Sequence, residues 1–121
     1  MAARRLVVKI TSGPEALERL NQGVMVAATA VASGVTVSLW LSGESVWLAV
    51  PGHAEDWVLP HAMPMSELRD TLLQEAHVTV CSQCAVRRGL SADDLLAGAQ
   101  IRGVASFVEE ALQDDTTALV Y

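Results

Sequence analysis

LVVKITSGPEALERLNQGVMVAATAVASGVTVSLWL, residues 6–41, reads as strand, helix, strand. Leu6 to Ile10 is an apolar, β-branched run stopped by Thr11-Ser12-Gly13. Pro14 suits a first helical position, and Glu15 and Glu18 lie where the helix dipole favours anions. Leu17, Leu20, Val24, Ala28 and Val31 then recur at 3.6-residue spacing on one face. Gly34 closes the helix. Beyond it Val35, Val37, Leu39 and Leu41 alternate with Thr36, Ser38 and Trp40, the period of a strand, which Ser42-Gly43 ends.

The same alternation continues down the chain. SVWLAV (45–50) is apolar but too short for its period to separate strand from helical turn. PGHAEDWVLPHAMP (51–64) is irregular, and a loop of that length suggests a lid or an interface arm. From Ser66 a helical pattern returns, with Met65, Leu68, Leu72 and Ala76 on one side, and VTVC (78–81) is the next strand. Ser91 caps an expected helix start with Asp93 and Asp94 in its first turn. Gly103 punctuates, Phe107, Val108, Ala111 and Leu112 line another helix, and TALVY (117–121) ends as a strand. Strands separated by helices imply an α/β protein with a mostly parallel sheet, covered on both faces through right-handed crossovers. With no repeat or linker, residues 1–121 form one expected domain.

Composition narrows the setting. At 51% hydrophobic and 18% charged residues the surface is thinly charged, so some of it is expected to be covered by copies of the same chain. A net charge of −6 argues against nucleic acid as a partner. The late acids Asp93, Asp94, Glu109, Glu110, Asp114 and Asp115 read as a solvated face, and neutralising Glu109, Glu110, Asp114 or Asp115 should move stability by about half a kcal/mol or less. Residues 20–43 lack charge and are long enough to span a bilayer, but Ser33-Gly34 and the change of period argue for a buried helix and strand instead. Lys9 cuts the apolar run after Arg4 and Arg5 too short for a signal core. The expectation is a cytoplasmic protein, without membrane or nucleic-acid partners.

In that reducing setting the only two cysteines, Cys81 and Cys84 of VTVCSQCAVRRGL (78–90), invite a chemical reading. Zinc needs about four ligands and the pair supplies two, with His53, His61 and His77 at no metal-binding spacing. A thioredoxin-like dithiol opens a long helix, usually with Gly and Pro between the cysteines; here Ser82 and Gln83 intervene. Inert packing stays open, since free Cys is a small hydrophobe. The fourth use is a thiolate nucleophile, activated by the N–H groups of a following helix and by Arg87 and Arg88. No His or Asp accompanies the cysteines at triad spacing, which favours taking and giving a sulfur over hydrolysis. In open α/β sheets the functional crevice lies beyond the carboxyl ends of the strands. Ser12-Gly13, Ser42-Gly43 and Cys81 should therefore gather on one sheet edge.

The strand-Cys-x-x-Cys-x-x-x-Arg-Gly order of Cys81, Cys84, Arg88 and Gly89 resembles the DsrE/DsrF-like family. The Ser-Gly turn and long Ala-rich helix at 6–34, the strand at 35–41, Asp94-Leu95, Gly103 and a last strand ending at Tyr121 follow the same order. The resemblance covers nearly the whole chain, the loop at 51–64 excepted. It implies a three-layer α/β/α sandwich with about five strands, assembled as a homotrimer or homohexamer, with no cofactor. It further implies a sulfur relay in which Cys81 carries a persulfide and exchanges it with a donor or acceptor protein. Cys84 then resolves or protects that sulfur. The alternatives are a non-catalytic oligomeric subunit, a module binding a small ligand or anion at the strand ends, or a Cys-x-x-Cys redox protein.

Overall fold

The computed structural model describes residues 4–121. Five strands form one sheet in the order β4-β3-β2-β1-β5: β1 Arg5–Ile10, β2 Thr36–Leu41, β3 His77–Cys81, β4 Ala99–Arg102 and β5 Thr116–Val120. Every pairing is parallel, so the sheet is wholly rather than mostly parallel. The helices are α1 Leu17–Ala32, α2 Met65–Glu75, α3 Ser82–Arg87 and α4 Val104–Ala111.

The alternation that identified β2 also divides the sheet into two unlike faces. Val8, Leu39 and Val80 sit on one side of three adjacent strands and are fully buried with Ile10, Leu20, Val24 and Leu72. Such side chains each contribute about 1.5–3 kcal/mol on burial, and here they close the core under α1 and α2. The opposite side carries Lys9, Ser38, Trp40, Thr79 and Arg102, and α4 packs there. Trp40 is buried as expected, and its ring meets Phe107 edge-on at 5.6 Å.

Several local expectations are corrected. Pro14 opens a separate 3₁₀ turn, Pro14–Ala16, ahead of α1, which ends at Ala32 with Gly34 at a left-handed φ of 82°. SVWLAV, left open between strand and helical turn, has Ser45 to Ala49 in a 3₁₀ turn, Gly43–Ala49; Ser45 Oγ takes the Ser42 N–H and donates to the Ile10 carbonyl, so the chain coils there. Ser91 begins only the short turn Ala92–Asp94, where the Asp94 carboxylate accepts the Ser91 N–H at 2.8 Å. β4 had no visible signal: AQIR is four residues long, at the sheet edge, with Gln100 and Arg102 breaking any apolar run.

The 51–64 loop is tied down along its first half. Arg69 of α2, nine-tenths buried, pairs with Glu55 at 2.8 Å, and Trp57 is buried. His53 stacks on Trp47 with ring centroids 4.9 Å apart. Among the described residues, no helix is long and apolar enough to cross a membrane.

Candidate functional site

β1, β2 and β3 are adjacent and parallel, so the turns that follow them meet at one sheet edge. The meeting is tight. Gly43 has φ 57°, and a Cβ there would stand 2.7 Å from the Thr11 carbonyl oxygen. A Cβ on Gly13 would collide with the Glu44 backbone. Both Ser-Gly turns thus need their glycines for close backbone approach. Ser12 and Ser42 are buried behind them.

Cys81 and Cys84 complete this edge from β3. Cys81 is the N-cap of α3 and half-buried; Cys84, one turn on, is 8% exposed. Both are free thiols. The Gly43 N–H donates to Cys84 Sγ at 3.2 Å, so the turn after β2 touches the second cysteine. Burial resists ionisation of Cys81. The N–H of Cys84, its thiol, the N–H of Gln83 and the Lys9 charge outweigh that resistance and hold the Cys81 thiol below its ordinary range. As the N-cap residue Cys81 stands at the end of α3 where unpaired amides favour a thiolate.

The cation acting on Cys81 is Lys9, whose Nζ lies 5.0 Å from the Phe107 ring centroid. Lys9 was not among the expected residues. Its only signal was its position, a charge inside an apolar strand one residue before the carboxyl end. Arg88 is turned elsewhere: its Nε binds Glu44 at 2.7 Å and its Nη1 donates to the Cys84 carbonyl at 3.1 Å. It clamps α3 to the turn that carries Gly43. The Arg88 hydrogen bond holds the Glu44 carboxyl low against the opposing effect of burial, and Trp47 adds a donor at 3.3 Å. Arg87 is exposed, beside Ser82, Gln83 and Val86. Of the three histidines, His77 starts β3, at its opposite end from Cys81, while His53 and His61 lie in the loop.

The geometry gives a clear order of access. Limited alkylation at neutral pH, followed by peptide mass spectrometry, labels Cys81 before Cys84, because Cys84 is shielded and its sulfur already accepts the Gly43 N–H. Cys84 labelling first would contradict this order.

A wholly parallel sheet with a half-buried N-cap thiol beyond its carboxyl edge defines a small α/β thiol protein. The profile of the DsrE/DsrF-like family matches residues 4–117, and the chain belongs to that family. It is 28% identical over 110 residues to the uncharacterized protein MK0008 of Methanopyrus kandleri, covering 91% of this chain and 88% of that one. The uncharacterized protein MJ0989 of Methanocaldococcus jannaschii is 29% identical over 109 residues, covering 88% and 93% respectively. Among solved structures the fold is similar to the ychN protein from E. coli, with TM-score 0.79, 19% identity and coverage of 99% and 100%. It is also similar to MTH1491 of Methanobacterium thermoautotrophicum, a protein of unknown function, with TM-score 0.68, 16% identity and the same coverage.

Proposed function

We propose that the chain is a sulfur-relay protein that carries a persulfide on Cys81. Family membership supports a role of the sulfur-relay type. The observation that carries the finer reading is the Cys81 sulfur itself: partly accessible at the end of β3, at the N-cap position of α3 and held toward thiolate. The Cys81 thiolate attacks the terminal sulfur of a donor persulfide; the donor S–S bond breaks, and the donor leaves as its own thiolate. A Cys81–S–SH forms with no net oxidation, and an acceptor thiolate reverses the step. Cys84 lies close enough to interact with the Cys81 thiol and is suited to guard or resolve that sulfur. Intact mass spectrometry after exposure to a persulfide donor should show a gain of one sulfur. No gain would end this reading.

A specific observation also supports self-association. Val104, Val108 and Leu112 follow one another along α4 at 55%, 48% and 79% exposure, and Val120 on edge strand β5 is 63% exposed. An uncovered stripe of that kind favours burial against a copy. The expected assembly is a homotrimer or homohexamer in the cytoplasm. Light scattering should return a multiple of three chains, and a monomer mass at micromolar concentration would exclude it.

A further inference from the structure

The polar face of the sheet is only partly covered. α4 is eight residues long. Its Phe107 and Glu110 reach Trp40. Toward the amino ends of the strands a cleft of about 310 Å³ remains, lined among others by Arg5, Ser38, His77, Gln100, Arg102 and Glu110. At ~30 Å³ per water that is room for about ten water-sized atoms. These side chains come from four different strands and α4, brought together by the register that pairs Arg5 with Thr36, Ser38 with His77, and Thr79 with Gln100.

The charge of this cleft is unusual for a chain of net charge −6. Its ionised lining is two guanidiniums and one carboxylate. Glu110 is already occupied, accepting from the Ser38 hydroxyl, Trp40 Nε1 and Arg102 Nη2. Arg5 donates to the neutral Gln113 amide and has no carboxylate partner among the described residues. The Arg102 Nε is buried without a hydrogen-bond partner among them. Positive charge thus exceeds negative in one concave, water-accessible space, with the exposed Arg5 at its edge. Guanidinium donors match the oxygens of phosphate and carboxylate groups.

We propose that this cleft is a second binding site, for a small anion bearing a phosphate or carboxylate group, distinct from the thiol site. Arg5 supplies the uncompensated charge, and Gln100 and His77 supply hydrogen bonds at the rim. The two sites lie at opposite ends of β3: His77 and Cys81 are four residues apart, about 13 Å at 3.3 Å per residue. An anion can therefore occupy the cleft without touching the sulfur.

Inorganic phosphate and succinate, titrated separately into the full chain and followed by amide NMR, test the site and distinguish the two headgroups. The tighter probe should give saturable shifts at Ser38, His77 and Gln100 but not at Ser82 to Arg87. Arg5→Gln, a change at an exposed residue, should weaken binding about tenfold by removing one charge-assisted contact. Gln100→Leu should also weaken it, while Cys81→Ser leaves it unchanged. The proposal is overturned if neither probe saturates at millimolar concentration, if the shifts centre on α3, or if both cleft variants bind as tightly as the parent.

Discussion

Cys81→Ser abolishes the one-sulfur mass gain after exposure to a persulfide donor, whereas Cys84→Ser retains it. This is the largest functional effect expected of any single substitution. A serine hydroxyl stays protonated at neutral pH and cannot attack a sulfane sulfur, and Cys84 does not substitute for the lost thiol. Cys84 is 8% exposed and its sulfur accepts the Gly43 N–H, so it is shielded from a donor. The pH profile gives an independent check. Only the thiolate attacks, and the Cys81 thiol lies below its ordinary value of 9.0. Loading should therefore rise with pH, with its midpoint below that value. Loading retained in Cys81→Ser would transfer the carrier role to Cys84, and a midpoint at or above 9.0 would contradict a depressed Cys81 thiol.

Glu110→Gln should destabilise the fold by about 2–3 kcal/mol in chemical denaturation, while Glu109→Gln and Asp114→Asn should move it by about half a kcal/mol or less. The difference corrects the reading of the late acids as one solvated face. Glu109, Asp114 and Asp115 are exposed. The Glu110 side chain is 19% exposed, and its carboxylate bridges Arg102, Ser38 and Trp40 across β4 and β2. Removing its charge leaves Arg102 half-buried without a counter-ion, which costs more than losing a surface pair. Burial raises the Glu110 carboxyl, but Ser38, Trp40 and Arg102 outweigh it and hold the carboxyl below 4.5. A depressed folded value means this contribution is complete above the unfolded carboxyl's range and disappears as pH falls through the folded value. The gap between parent and Glu110→Gln should therefore narrow in acid. A gap of half a kcal/mol at neutral pH would restore the solvated reading.

Residues 6–41 determined the fold class unaided, because period is a local property. A short apolar run broken only by Lys9, a 3.6-residue stripe closed by Gly34 and a strict alternation read together as strand, helix, strand. The parallel sheet and the strand-end location of Ser12-Gly13, Ser42-Gly43 and Cys81 follow from the same alternation continued down the chain and from the connectivity rules. β4 was invisible for the converse reason: Ala99–Arg102 is held as a strand by pairing with β3, and its own residues carry almost no strand signal.

The partners of the charged side chains belong to tertiary structure alone. Proximity in sequence suggested that Arg87 and Arg88 would face the thiol, yet α3 turns Arg88 onto Glu44, 44 residues away, and leaves Arg87 at the surface. Lys9 reaches Cys81's field because β1 stands two strands from β3 with both residues on the same face. Glu110 meets Ser38 and Trp40 across separations of 72 and 70 residues. A Coulomb or hydrogen-bond interaction depends on distance through space, and a sequence specifies spacing only along one helix or strand. The chain by itself therefore settled four of the five strands, the long helices and where the thiol stands; which cation meets which anion waited on how those elements pack.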